Sequence, residues 1–433
     1  MSSNNFAKGL KRSALTVALG LCFAGGVHAQ STTGDVYGSA PAGSTVTITN
    51  NSGLTRTVTA DANGRYSANN LPVGNYVVTA GGVRREVTVT LGGGTNVSFG
   101  GDSTTTLGTV TVTAASAPVI DVTSVTTSTI ITSEELARLP IARSAEAIAL
   151  LSPGAVTGNG TFFGNQIAFG GSSVGENAYY LNGYFSGNPI TNVGGFTLPY
   201  GSIEQQQTYT GGYGAKYGRS AGGVISQVGK SGSNDWHFGG QVVFEPRGLK
   251  EERPDRFFPN FTFADPRYSY TDPSLAGTSY DSGKDRLNWG NTYSAYASGP
   301  ILRDRLFFFV SAEDNRRDFV SPGGNPNAGF SHTGTRQETR DPKLYAKLNW
   351  NITDNHLLEY TYVAEKFKQS GTQYEFDYPT YAFGAALNPT TALIDNTEFS
   401  ILRYTGYLTD SLTLTANYGR SRNRYDETPF LTG

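Results

Sequence analysis

Between Gly211 and Gly232 the chain reads GGYGAKYGRSAGGVISQVGKSG, and eight of these positions are glycine. Glycine is needed where the backbone takes positive φ or lies against another backbone. The same stretch carries Tyr213, Tyr217, Arg219, Val224, Ile225 and Val228. Glycine at this density among apolar residues specifies a tightly turned, packed element and not a flexible linker.

The start of the chain sets the compartment. Lys8, Lys11 and Arg12 precede an apolar run from Ala14 to Val27, and Val27-His28-Ala29 is a small-residue cleavage pattern before Gln30. Residues 1–29 therefore read as a secretory signal peptide, too short in its apolar core for a stop-transfer helix. Cys22 lies inside it, but Leu21 stands where a lipobox needs a small residue, so lipidation is not expected. Cys22 is the only cysteine, which leaves the mature chain no disulfide framework. The leader removes three of the 33 basic residues and none of the 35 acidic ones, for a mature net charge of −5. That balance argues against nucleic acid as a partner. No later apolar run is long enough for a transmembrane helix. Composition rich in Gly, Tyr, Phe and Thr instead suits an outer-membrane β-barrel, which hides its hydrophobicity by alternation.

Residues 30–100 read as a small β-sandwich. Runs such as Thr45-Val46-Thr47-Ile48-Thr49 and Tyr76-Val77-Val78 recur between turn clusters about every ten residues. Asn63-Gly64 would form a tight turn, with Tyr66, Leu71 and Tyr76 entering the core. Asp61 and Asn63 lack the remaining ligand positions of a calcium loop and read as a plain turn. Residues 101–120 read as a linker that contains an extended β-forming run, Leu107 to Ala114. Such a run in a tether can add a strand to a partner sheet.

Residues 121–233 mix short helices and strands. Thr132-Ser133-Glu134-Glu135 offers a capping box, opening a helix that stops at Pro140, and a second helix is expected from Ser144 to Leu151. The strand Ala178 to Leu181 leads into Asn182-Gly183, a hairpin-type turn. Arg219, among glycines, is expected to pair with a carboxylate, Glu204 or an acid beyond residue 233.

From residue 234 the pattern changes to long strands. Seven are expected near ten residues each, namely 235–244, 289–298, 305–315, 343–350, 356–366, 397–407 and 411–422. Leu344, Ala346, Leu348 and Trp350 alternate with Lys343, Tyr345, Lys347 and Asn349, which would put the first set toward lipid. Leu412, Leu414, Ala416 and Tyr418 do the same against Thr413, Thr415 and Asn417. Short connections at 299–304, 351–355 and 408–410 alternate with long ones at 245–288, 316–339 and 367–396, as periplasmic turns oppose outer loops. The expected fold is mainly β: signal peptide, small β-sandwich, an α+β domain, and the first strands of an incomplete antiparallel transmembrane β-barrel at 234–433. Seven strands leave such a barrel unfinished, so an N-terminal piece of a longer protein is expected.

The Gly211–Gly232 segment resembles the closing segment of the plug domain in TonB-dependent outer-membrane receptors of the Oar-like branch. Phe169-Gly170-Gly171, the Asn182-Gly183 turn and Ile203-Glu204 extend the resemblance, although the family usually has Asp-Gly at that turn. The stretch Asp61 to Tyr76 resembles the carboxypeptidase regulatory-like domain, for which carbohydrate binding rests on fold analogy alone. The resemblance implies that Thr109, Val110, Thr111, Val112, Thr113 and Ala114 form the TonB box. It further implies that Phe162, Phe163, Asn165 and Gln166 form a ligand-binding plug apex, and that a Glu204–Arg219 ion pair holds the plug to the barrel. The implied partners are TonB with its inner-membrane energising complex, outer-membrane lipid and an extracellular ligand. Neither cofactor nor metal is implied. His237, His332 and His356 have no metal-ligand spacing, Gly229-Lys230-Ser231 lacks the first glycine of a phosphate loop, and no enzyme activity is expected. The alternative to transport is a surface adhesin or structural outer-membrane protein.

Overall fold

The structure, a computed structural model, describes residues 32–99, 126–141, 144–158, 166–189, 193–196, 198–214, 217–218, 220–251, 254–258, 277, 279–281, 283, 286–322, 333–377, 382–409 and 412–427. The expected signal peptide and the run expected to form the TonB box lie outside them.

The first body contains β1 (Thr33–Ser39), β2 (Thr45–Asn50), β3 (Thr55–Thr59), β4 (Arg65–Pro72), β5 (Gly74–Ala80), β6 (Val83–Val89) and β7 (Gly94–Asn96). They form two sheets, β4-β1-β7 and β3-β2-β5-β6. Alternation puts Val46, Ile48, Val58, Tyr66, Leu71, Tyr76 and Val78 between the sheets, all buried. Asp61 organises the β3–β4 turn, its Oδ1 accepting the amides of Asn63 and Arg65, both at 2.8 Å. Its carboxylate thus serves as a turn acceptor, as the sequence reading held.

The second body is built on β8 (Thr127–Thr132), β9 (Ala155–Thr157), β10 (Ile167–Phe169), β11 (Ala178–Leu181), β12 (Tyr184–Phe185), β13 (Ile203–Gly211) and β14 (Val224–Gly229). Five of them form one sheet in the order β12-β11-β14-β13-β8, with only β11 and β14 parallel. Helix α1 (Ser133–Arg138) opens with the expected capping box, Thr132 and Glu135 bonding each other's amides. Helix α2 (Ala145–Ala149) is capped by Ser144 but is shorter than expected. At Leu150 the backbone is still helical, and Leu150 and Leu151 are exposed; a further turn would gain little burial. Asn182 and Gly183 take φ of 46° and 78°, the two successive left-handed residues of a tight hairpin turn.

The third body begins with β15 (His237–Glu245), followed by the small pair β16 (Arg256–Phe257) and β17 (Ser279–Asp281). Long strands follow: β18 (Leu287–Leu302), β19 (Leu306–Ser321), β20 (Thr333–Thr353), β21 (His356–Asp377), β22 (Ala382–Tyr407) and β23 (Thr413–Glu427). β15 and β18–β23 make one antiparallel sheet with neighbours in chain order. Of two loops expected to be long, 316–339 and 367–396, the described residues are mostly strand. The ladder there continues where neither face is apolar, for example Asp318↔Glu338 and Glu338↔Ser370. Ladder hydrogen bonds need only a partner strand, whereas apolar alternation needs a buried face, so the sequence signal ended before the strands did.

This sheet is inside out. Trp350 and Leu348 are 45% and 40% exposed, whereas Tyr345 and Lys347, from the same strand, are 0% and 6% exposed. Apolar residues face outward and polar ones inward, as lipid on the outside requires. The inner face packs on the second body: Phe309, Tyr345, Val363 and Phe399 share a core with Leu136, Ile148, Leu181, Phe196, Leu198 and Ile203.

Candidate functional site

The seam between the second body and the sheet joins elements that lie far apart in the chain. Asn182 sits on it, held by both sides. Gly229 N donates to its Oδ1 at 2.9 Å, and its Nδ2 donates to Thr361 Oγ1 on β21 at 3.1 Å. The positive φ of Asn182 aims the side chain across the seam, and the amide supplies both a donor and an acceptor. Tyr345 Oη adds a bond to Lys230 O at 3.0 Å. Tyr184 and Phe196 meet Phe399 edge-on, with centroids 5.9 and 5.8 Å away. Replacing Asn182 with alanine leaves the Gly229 amide unpaired and places a strained residue in the turn. It should lower the stability of this body by about 2–4 kcal/mol. Faster amide hydrogen exchange across Val224–Gly229 is the readout, and unchanged exchange would show that the seam bonds carry little weight.

β13 carries Gln205-Gln206-Gln207, all three nearly inaccessible to solvent. Gln206 Nε2 donates to Ala145 O at 2.9 Å, and its Oε1 accepts from Gln227 Nε2 at 2.8 Å. Gln205 projects the opposite way and grips the sandwich, its Oε1 accepting from Leu91 N at 3.0 Å and its Nε2 donating to Val89 O at 3.1 Å. The sequence reading missed these residues. Three adjacent polar side chains in a strand were the available signal, since burying them demands partners on both faces.

The sandwich also docks on the short turns of the sheet. The Arg56 guanidinium lies 4.2 Å over the Tyr407 ring, and Tyr407 Oη donates to Asn70 O at 2.8 Å. Asn351 Nδ2 donates to Ser52 O at 2.9 Å. Sandwich, second body and sheet thereby enclose a polar cavity of about 210 Å³, lined among others by Asn70, Asn182, Glu204, Lys347, Glu359 and Arg403. On the wall, Lys347 Nζ lies 2.8 Å from Glu359 Oε1, and Arg403 Nε lies 4.0 Å from Glu359 Oε2. Arg403 Nε and Nη1 make no hydrogen bond among the described residues.

Burial raises the pKa of Glu204 above the ordinary carboxylate value, against the opposing pull of Lys230 and Lys347 and with a smaller push from Glu134. Desolvation wins. The folded state therefore holds the proton more tightly than the unfolded state. Glu204 costs stability progressively as pH rises from the ordinary value of 4.5 through its raised folded value. Glutamine has no charge to desolvate. Glu204→Gln should flatten this part of the pH dependence and stabilise the fold near neutral pH, read as a urea midpoint above the parent's at about pH 7 and equal to it below pH 4. Parallel curves for variant and parent would refute it.

Of the site residues expected from sequence, Thr109 to Ala114, Phe162, Phe163, Asn165 and Arg219 lie outside the described residues. Gln166 is half-buried, its Oε1 accepting from Tyr179 Oη at 3.4 Å and its backbone carbonyl from Gly158 N at 2.7 Å.

Residues 119–224 match the family model of the TonB-dependent Receptor Plug Domain. Over 329 residues, 70% of this chain, the sequence is 29% identical to the TonB-dependent transporter Oar of Myxococcus xanthus, and the match covers 28% of that protein. The chain thus spans well under half of the curated relative it matches. Among solved structures, the outer membrane transporter YddB from Escherichia coli overlays with a TM-score of 0.48 at 16% identity, over 68% of this chain and 38% of that one. The siderophore receptor PirA from Acinetobacter baumannii gives 0.47 at 17% identity, over 70% and 40%. Residues 119–224 thus match a plug like that of TonB-dependent receptors, seated on the inner face of an inside-out antiparallel sheet, and the chain is similar to the transporter Oar.

Proposed function

We propose that this receptor carries a ligand too large or too scarce for passive pores across the outer membrane, energised by TonB. The observation that carries the reading is the plug held against the wall by a small set of bonds, from Asn182 to Thr361 and from Tyr345 to Lys230. The same seam carries an apolar cluster in which Leu181, Phe196 and Ile203 meet Phe309, Val363 and Phe399, so parting it takes work of the kind an energised step supplies. In this reading Thr109 to Ala114 are the TonB box on a tether ahead of β8. Phe162, Phe163, Asn165 and Gln166 meet the ligand from above, and Arg219 pairs with an acid of the wall. The sandwich sits in the periplasm beneath the plug, and its grip through Gln205 and Arg56 has to loosen when the plug moves.

The test is growth of a deletion strain on a panel of iron–siderophores, oligosaccharides and peptides, each as the limiting nutrient. A defect on one class, restored by the parent gene, supports transport and names the ligand. Equal growth on every member, with the protein present in the outer membrane of the parent, favours the adhesive or structural role.

A further inference from the structure

The outward face of the sheet changes character along each strand. On β19 it runs Phe308, Val310, Ala312 and then Asp314 and Arg316; on β20 it runs from Trp350 through Leu344 and Pro342 to Arg340. On β21 Leu358, Tyr360, Tyr362 and Ala364 give way to Lys366 and Lys368. On β23 Leu414, Ala416 and Tyr418 give way to Arg420, Arg422 and Arg424.

The register shows that these changes lie on one boundary. Arg340 pairs with Lys368, so the first basic position on β21, Lys366, is one outward residue nearer the short turns than that on β20. Lys366 pairs with Asn396, and Asn396 with Arg424. On β22 the first outward charge is Glu398, a further step down, and on β23 it is Arg420, a step beyond that. From β20 to β23 the boundary shifts by one outward residue per strand in the same sense, the stagger a level plane makes across tilted barrel strands. The basic residues just above it face Asp314, Glu338, Glu398 and Asp426 as outward acids among the described residues, in a chain of formal net charge −2. Arg316 and Arg340 share Asp314 at 2.8 and 3.1 Å, and Arg424 bonds Asp426 at 2.5 Å. Lys366, Lys368, Arg420 and Arg422 are exposed and have no ion-pair partner among the described residues.

Higher on the same face, Trp289, Asp318, Arg336, Glu338 and Phe383 line a cleft of about 720 Å³. The Arg336 guanidinium lies 4.9 Å from the Phe383 ring centroid and 5.3 Å from that of Tyr374. Aromatic faces beside carboxylates and a guanidinium suit hydroxyl-rich sugars.

We propose that this outward belt, centred on Lys366, Lys368, Arg420 and Arg422, binds the phosphates of a phosphorylated glycolipid of the outer leaflet, whose sugars extend toward the Trp289–Phe383 cleft. The proposal rests on the outer-membrane barrel reading. Apolar residues below meet the acyl chains, and the cations stand at the height of the headgroup phosphates. A plain phospholipid would leave the cleft without sugars, and free phosphate would leave the apolar band unused.

The test uses the full-length receptor in detergent, with binding of bisphosphoryl lipid A, its dephosphorylated form and inorganic phosphate followed by native mass spectrometry. The parent should bind bisphosphoryl lipid A, with dephosphorylation or the Lys366→Gln/Lys368→Gln/Arg420→Gln/Arg422→Gln variant weakening binding roughly a thousandfold, at about 1 kcal/mol per cation. Glu398→Gln, which removes an acid from the belt and no packing, should tighten binding several-fold. Equal affinity of parent and quadruple variant, or equal affinity for the two lipids, overturns the proposal. So does competition by inorganic phosphate alone. Heat-modifiable migration reads the barrel separately: its absence in the parent overturns the barrel reading and this proposal with it. Its presence together with equal affinities overturns this proposal only.

Discussion

Under the proposed function, proline at position 112 should abolish capture of the protein by the periplasmic domain of TonB while leaving it folded in the outer membrane. Strand addition depends on main-chain hydrogen bonds to a partner sheet, and the run from Thr109 to Ala114 offers β-forming residues for that pairing. Val112→Pro removes one donor, fixes φ and clashes with a continuous ladder, at a cost of about 3 kcal/mol or more. That corresponds to more than a hundredfold in affinity. Val112→Ala keeps the donor and should cost only a few-fold. Biolayer interferometry with the purified TonB domain measures both. Equal affinity for parent and Val112→Pro would place the TonB box elsewhere.

Gly223→Val should disrupt the plug more than any surface change. A Cβ at Gly223 would lie 2.2 Å from Cδ2 of Phe169. Phe169 cannot retreat, being buried with Ala145, Ala149, Ile167, Tyr179 and Ile225. Nor can the backbone move away. Gly223 N donates to Asn177 Oδ1 at 3.0 Å, and its carbonyl accepts from Ala178 N at 3.0 Å. Overpacking a closed core typically costs about 1–3 kcal/mol, and a branched side chain pinned on both sides should exceed that range. Amides of Ala178–Leu181 and Val224–Gly229 should then exchange about a hundredfold faster or more, while those of β19 to β21 change little. Parent-like protection in the plug would show that the close approach is not required.

Several features were legible because they are local. The Thr132–Glu135 capping box, the Asn182-Gly183 turn and the packed glycine segment each depend on residues a few positions apart, and each is present. The outward and inward sets of β20 were legible from period-two alternation. The full lengths of β20, β21 and β22 were not, because Thr333–Glu338 and Lys366–Thr372 carry no apolar alternation although the ladder runs through them. The docking of the sandwich was invisible for a different reason. Arg56 and Tyr407, or Gln205 and Leu91, are joined only by tertiary packing. A guanidinium or an amide gives no sequence sign of which distant group will satisfy it. Glu204 shows the same limit: a cation was expected opposite it, and among the described residues Lys230 and Lys347 are the ones whose charge it feels.

The central claim is that the plug is seated on the inner wall of the sheet, and the cysteine content allows a direct test. Within these 433 residues Cys22 is the only cysteine and lies in the expected leader, so introduced thiols should be the only ones between residues 30 and 433, and any cysteine beyond them is replaced with serine for the test. Tyr184 on the plug and Phe399 on β22 face each other with ring centroids 5.9 Å apart. In outer membranes carrying the Tyr184→Cys/Phe399→Cys receptor, a short bis-maleimide should join the two sites. The joined species should migrate as a looped form on a denaturing gel, and neither single variant should produce it. Failure to join the sites, with both thiols shown to react singly with a monofunctional maleimide, would contradict a plug seated on this wall.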